Sequence, residues 1–291
     1  MALPLTTRAR AKVNLDLRVL GRRVDGYHEL ESLVAFAGVG DTLSLDPGAG
    51  LSLTLAGPRA QGLAVDDGNL VLRAARALAA ARPDLRLGRF HLVKRLPVAS
   101  GIGGGSADAA ATLRLLARLN GIGPADPLLR EVAASVGADV PVCLDSRARL
   151  MAGIGEKLGP VLRLPPLFAV LVNPGVGVET VAVFRALGLK AGEAASEARA
   201  ATVAAPASAA KLLDDLQSTT NDLAAPARRV APIIGEVLER LAALPGCRLA
   251  RMSGSGATCF ALFDDCTASA AAAKTLASER PSWWVRATLL R

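Results

Sequence analysis

The 291 residues carry 34 Lys and Arg against 26 Asp and Glu, a net charge of +8, with 51% apolar and 21% charged residues. A chain of this length and composition buries a real core without disulfide or metal staples, which excludes a disordered or disulfide-scaffolded protein. No apolar run reaches the roughly 18 residues of a membrane span and the start lacks a leader-like stretch, so neither export nor membrane partners are expected and the reading is cytoplasmic.

The elements follow in chain order. From 12 to 19, apolar Val13, Leu15, Leu17 and Val19 alternate with Lys12, Asn14, Asp16 and Arg18. That period predicts a half-buried strand with Lys12 and Asn14 on one face, away from the core. Arg22 to His28 reads as a loop with an Asp-Gly turn. Leu43/Leu45 and Leu51/Leu53/Leu55 alternate around Pro47-Gly48-Ala49-Gly50, which predicts a hairpin. Asn69 caps a predicted helix to about Ala81, and Phe90/Leu92 mark a strand that leads into Pro97-Val98-Ala99-Ser100-Gly101-Ile102-Gly103-Gly104-Gly105-Ser106. Ala107 to Asn120 is helical, ended by Gly121, and a further helix from about Pro127 ends at Gly137, just before Asp139.

Near 150 the pattern turns strand-like at 150–154 and 167–172, and a domain boundary is placed there, giving 1–150 and 151–291. Residues 190–210, rich in Ala, Ser and Glu, read as a solvated helix or an insert. The tail alternates a helix at 232–244, strands at 248–252 and 258–263 around Ser253-Gly254-Ser255-Gly256, a helix at 267–278 and a last strand at 283–289. Ser253 to Gly256 is either a second close-approach loop or a plain tight hairpin.

The glycine run opens a helix. Without Cβ atoms its backbone can approach a ligand closely, and the unpaired N–H groups and partial positive charge of a helix start attract an anion, so the run predicts a phosphate site. It is not a P-loop, because Gly105-Ser106-Ala107 stands where Gly-Lys-Ser/Thr is needed, and Ser106 breaks the dinucleotide fingerprint. Phosphoryl transfer also needs a group that orients the acceptor hydroxyl and a cation that offsets charge. Lys12, Asn14 and Asp139 are the candidates, although Asp139 could equally cap a short helix at Val140-Pro141. Tyr27 and His28 are suited to stacking on a heterocycle, or to packing a turn.

Basic residues come singly or in pairs (Arg22-Arg23, Lys94-Arg95, Arg228-Arg229) with no aromatic platform beside them, which argues against a nucleic-acid partner. A positive field equally suits polyphosphate ligands. Cys143, Cys247, Cys259 and Cys266 lack C-x-x-C spacing and are expected to be buried free thiols rather than a metal site.

These segments resemble the superfamily of galactokinase, homoserine kinase, mevalonate kinase and phosphomevalonate kinase, whose Pro-x3-Gly-Leu-Gly-x-Gly-Ser-Ser motif is matched by Pro97 to Ser106. Within it they are similar to the kinases of 4-diphosphocytidyl-2-C-methyl-D-erythritol. The similarity runs through Ala11-Lys12-Val13-Asn14-Leu15, Asp25-Gly26-Tyr27-His28-Glu29-Leu30, Gly137-Ala138-Asp139-Val140-Pro141, Gly153 to Glu156, Asn173-Pro174-Gly175, Asn221-Asp222-Leu223 and Ser253 to Gly256.

The resemblance implies an α+β fold of two domains, a ribosomal-protein-like amino-terminal one and a ferredoxin-like carboxy-terminal one, with the active site in the cleft. It implies ATP with Mg²⁺ carried by the nucleotide, no dedicated protein metal site, and a small-molecule substrate bearing cytidine diphosphate whose 2-hydroxyl is phosphorylated. By it Asp139 is the base, Lys12 the cation, Asn14 a positioning amide, and Tyr27 and His28 the cytosine contacts. Phe184, after Glu179-Thr180, is the opposite aromatic, Thr180 is a further substrate contact, and the protein is expected to be a monomer or weak dimer. Ala107 stands where a second Ser or Asn is commoner. A basic RNA-binding module is the reading from another class.

Overall fold

The structure, a computed structural model, describes residues 4–48, 50–195 and 208–291. It forms two compact units that alternate along the chain. One comprises Met1–Ala11, Val39–Val98 and Gly103–Ser146, the other Lys12–Gly38, Ala99–Ile102 and Arg147–Arg291. The last passage between them, after Ser146, lies close to residue 150. The first two arise because β1 (Leu5–Asn14) and β3 (His28–Pro47) are long enough for each to serve both units, and the next two flank Ala99–Ile102 of the glycine run.

In the first unit, β5 (Gly88–Val93) lies between the second half of β3 and β4 (Ser52–Ala56), antiparallel to β3 and parallel to β4. The hairpin expected around Pro47-Gly48-Ala49-Gly50 is therefore absent. The alternating leucines correctly mark one buried face, with Leu43, Leu45 and Leu53 in the core. Alternation says which face is buried but not which strand is the neighbour, and here the parallel β4–β5 pair is joined by a crossover through α1 (Leu70–Ala81).

Asn69 caps α1 by accepting from Val71 N, and Asp126 caps α3 (Pro127–Val136) by accepting from Leu128 N. The central helix, α2 (Gly104–Asn120), ends at Gly121 in the left-handed region. It is rich in buried alanines, and packs against α1 and against α4 (Val140–Asp145).

In the second unit, β9 (Leu249–Met252), β10 (Cys259–Phe263), β8 (Leu167–Asn173) and β11 (Trp284–Leu290) form an antiparallel sheet in that order. The first half of β3 pairs with β2 (Arg18–Arg22) and with β6 (Arg149–Gly153), which in turn pairs with β7 (Lys157–Val161). Val170 and Val172 of β8 share a core with Ile234, Val237 and Leu241 of α8 (Ile233–Ala242) and Leu276 of α9 (Cys266–Glu279). Three further helices, α5 (Thr180–Leu187), α6 (Ala209–Gln217) and α7 (Ala224–Val230), complete the described part of this unit. The fold class is α+β, as expected.

Two further expectations change. The strand predicted over 12–19 is two strands, β1 and β2, and it is not half-buried: Lys12, Asn14 and Asp16 are 4%, 2% and 4% exposed. Polar residues at alternate positions ordinarily mark a solvent face. This face is instead covered, because Asn14 N donates to Ser253 Oγ and Asn14 Nδ2 to Ser32 Oγ. Of the four free cysteines only Cys143 and Cys259 are buried; Cys247 is half-buried and Cys266, opening α9, is exposed. The solvated helix or insert expected at 190–210 lies largely outside the described residues, though residues 190–195 form a turn and bridge to β2 at Gly21. Among the described residues no helix is long and apolar enough to cross a membrane.

Candidate active site

The glycine run is contributed in two pieces. Ala99–Ile102 belongs to the second unit, where Lys12 N donates to Ile102 O at 3.0 Å and Thr258 N to Ser100 O at 3.0 Å. Gly101 has φ +74°, and a Cβ there would stand 2.5 Å from Ser253 O and 2.7 Å from Gly256 O. A side chain is excluded on both grounds. Ser253 to Gly256 is thus both alternatives at once, the turn of the β9–β10 hairpin and a close-approach partner of the loop. The Ser253 hydroxyl accepts from Asn14 N at 3.1 Å and donates to Gly101 O at 3.0 Å. Behind it, Asn221 Nδ2 donates to both Met252 O and Gly254 O. Sequence reasoning assigns Asn221 no role, although Asn221-Asp222-Leu223 is among the segments that carry the resemblance.

Gly103–Ser106 belongs to the first unit. Gly103, with φ +61°, is the N-cap of α2 and has no side chain to bond the first turn, so the N–H groups of Gly104, Gly105 and Ser106 are donors for an anion. Gly105 is exposed there, Ser106 is half-buried, Pro97 is buried and Val98 is 47% exposed. Beneath Gly104 lies the Lys94 ammonium, bonded to Asp41 at 2.5 Å and Asp108 at 2.6 Å. Asp41 Oδ1 also accepts from the backbone N–H groups of Arg95 and Leu96.

A cation at a helix start opposes the helix dipole, and the two carboxylates offset it. Burial pushes Lys94 down, but Asp108 and Asp41 outweigh it and hold the amine above its usual range. Burial raises the Asp108 carboxyl, and Lys94 offsets only part of that. This buried triad ties the entry strand to α2. Sequence reasoning misses it because single charges in apolar segments carry no period.

Asp139 stands at the N-cap position of α4, half-buried, with φ −85° and ψ −10°. Its side chain makes no capping hydrogen bond to α4. The capping alternative is thereby removed.

In the second unit the Ser32 hydroxyl donates to Asp16 O at 2.6 Å, so it must accept from the Asn14 amide at 2.7 Å. That fixes the amide's orientation and leaves Asn14 Oδ1 buried with no hydrogen-bond partner among the described residues. It is an acceptor available to a ligand donor. Phe184, from α5, stacks on His28 with ring centroids 4.4 Å apart at 25°, while Tyr27 is 60% exposed. Burial and the Arg22 charge hold His28 below its usual pKa, so the ring is neutral at pH 7. Thr180 opens α5, with its hydroxyl 2.9 Å from Ser255 Oγ.

In the first unit the start of α2 leaves backbone N–H groups that suit a phosphate, and in the second the His28–Phe184 pair suits a heterocycle. The pattern of the GHMP kinases N terminal domain matches residues 69–147, and that of GHMP kinases C terminal matches 198–280. The class is therefore an ATP-dependent small-molecule kinase.

The 4-diphosphocytidyl-2-C-methyl-D-erythritol kinase of Methylobacterium radiotolerans is 60% identical over 288 residues, covering 99% of each chain. A crystal structure of 4-(cytidine 5'-diphospho)-2C-methyl-D-erythritol kinase superposes with a TM-score of 0.76 at 35% identity, covering 98% of this chain and 99% of that one. Homoserine kinase from Cytophaga hutchinsonii shares the fold, with a TM-score of 0.67 at 20% identity over 99% of this chain and 95% of that one. The chain belongs to the 4-diphosphocytidyl-2-C-methyl-D-erythritol kinase family of the GHMP kinases.

Proposed function

We propose that this protein transfers the γ-phosphoryl group of ATP to the 2-hydroxyl of 4-diphosphocytidyl-2-C-methyl-D-erythritol, giving the 2-phosphate and ADP in isoprenoid precursor synthesis. The observation that carries this is the 60% identity, over essentially the whole of both chains, to a relative bearing that name. The His28–Phe184 stack supports the cytidine end of the substrate, because a neutral imidazole and a phenyl ring are the groups a pyrimidine stacks on and bonds to. Tyr27 is the further cytosine contact, and Thr180 lies at the start of the same helix as Phe184.

The roles follow from chemistry. Backbone N–H groups of Gly103 to Ser106 receive phosphate oxygens, and Pro97 to Ile102 shape the approach. Asp139 orients the acceptor hydroxyl and receives its proton late, since in a loose transition state orientation and charge supply most of the rate. Lys12 offsets the developing charge, and Asn14 Oδ1 accepts a hydrogen bond from a hydroxyl of the acceptor. Mg²⁺ would arrive with the nucleotide, since phosphate oxygens and water are its preferred ligands, and would there neutralise phosphate charge. Among the described residues no three His, Cys, Asp or Glu side chains gather into a metal cage. The Ser106 hydroxyl, in the first turn of α2, is the protein oxygen suited to such an ion.

The test is to incubate the protein with Mg²⁺-ATP and the cytidyl substrate, mevalonate or homoserine separately, and to measure ADP. Release with the first alone is expected. Release with mevalonate or homoserine in its place overturns the acceptor assignment.

A further inference from the structure

Arg22 is the cross-strand partner of His28 in the β2–β3 ladder, and its side chain does more than face solvent. Its Nε donates to Gly26 O at 3.2 Å, in the turn that carries Tyr27 and His28. Its Nη1 donates to Leu189 O at 3.1 Å, in the segment that leaves α5 after its C-cap Gly188. Its backbone completes the link, with Arg22 N donating to Glu193 O and Gly192 N to Arg22 O, both at 2.8 Å. One guanidinium thus joins the turn that presents one ring of the stack to the end of the helix that presents the other.

We infer that Arg22 is a positioning residue for base recognition, setting the spacing of His28 and Phe184 and with it the affinity for the cytidine end of the substrate. The physical reason is the planar fork of arginine, which satisfies two carbonyls in fixed directions at once; a lysine ammonium is a point donor on a flexible stem and cannot span them with that geometry. The other hydrogen bonds of the turn stay within it: Arg23 N bonds Tyr27 O and Tyr27 N bonds Asp25 Oδ1. Loosening the link lets the rings part without touching the phosphate loop. The inference rests on the reading of His28 and Phe184 as the cytidine site.

The experiment compares wild type, Arg22→Lys, Arg22→Ala and Phe184→Ala for binding of cytidine diphosphate, kcat, the KM values of both substrates and the melting temperature. In both Arg22 variants, cytidine diphosphate affinity is expected to fall and the KM for the cytidyl substrate to rise by about tenfold or more, with kcat and the KM for ATP within about twofold. Arg22→Lys keeps the charge, so wild-type affinity in that variant overturns the role of the fork. A parallel rise in the KM for ATP, or a fall in kcat alone, overturns it in favour of general structural support. If Phe184→Ala weakens binding and the Arg22 variants do not, the inference fails while the cytidine site stands. If Phe184→Ala leaves binding unchanged, the site reading fails and the inference with it. Should Arg22→Ala not fold, Arg22→Lys decides.

Discussion

Asp139 and Asp16 show how differently two carboxylates are used. Asp139 sits at a helix start without a side-chain capping bond to it, and the role proposed for it rests on its charge. Asp139→Asn is expected to keep the shape and lose the charge, with substrate binding within a few-fold of wild type and turnover lowered by more than about a hundredfold, over ~2.7 kcal/mol in activation energy. Turnover within about tenfold would remove Asp139 from the chemistry.

Asp16 is buried beside Leu33 N and near Arg251, and burial raises its pKa from 3.8 to about 6, partly opposed by that N–H and that guanidinium. A raised folded-state pKa favours the protonated form. Its stabilising share is therefore full below pH 3.8 and lost as pH rises through about 6. Asp16→Asn keeps the acceptor and removes the titration, so its stability relative to wild type should grow by at most about 3 kcal/mol as pH rises from about 4 to about 7. Urea denaturation at several pH values measures it, and parallel curves would show that Asp16 titrates normally. The sequence singles out Asp139 through its motif and passes over Asp16, since a lone Asp in apolar company has the same sequence signature whether it caps, pairs or catalyses.

At the scale of elements, the glycine loop is legible because its demand is local: backbone near a ligand must lack Cβ atoms, and a helix must follow. What the loop leans on is not. Gly101 is needed by the Ser253 to Gly256 turn, some 150 residues away, whereas a Cβ at Gly105 would meet only the Leu70 side chain, with Cδ1 at 3.1 Å, and the backbone there is ordinary. The two glycines should separate. Gly101→Ala is expected to lower the melting temperature and activity together, because its methyl meets backbone atoms that cannot yield. Gly105→Ala should melt within a few degrees of wild type, since its neighbour is a flexible side chain, yet raise the KM for ATP by at least about tenfold by crowding the phosphate. Equal melting losses in both would show that the second glycine is structural too. The helix α1 is found where its cap Asn69 announces it, and α3 from its start near Pro127 to its end at Gly137, while its cap Asp126 is seen only in the structure. The helices α5, α6 and α7 escape sequence reading because they are short, two of them lack a side-chain cap, and tertiary packing rather than propensity holds them.

For the molecule as a whole, a net charge of +8 and polyphosphate ligands lead us to expect an electrostatic encounter. kcat/KM for the cytidyl substrate should fall as ionic strength rises past about 0.1 M, where screening acts over about 10 Å, while kcat stays level. A flat kcat/KM would mean that the basic residues serve only solubility. The sequence by itself determined what depends on near neighbours: the α+β class, the helix capped by Asn69, the helix opened by the glycine run and, through motifs in order, the family. Tertiary structure decided what depends on distant partners. It placed β5 between β3 and β4, buried Lys12, joined Asn14 to Ser253 and Ser32, assembled Lys94 with Asp41 and Asp108, and stacked His28 on Phe184. The physical reason is that periodicity reports which face of an element avoids water, whereas hydrogen bonds and stacking are chosen among all surfaces the folded chain brings within reach.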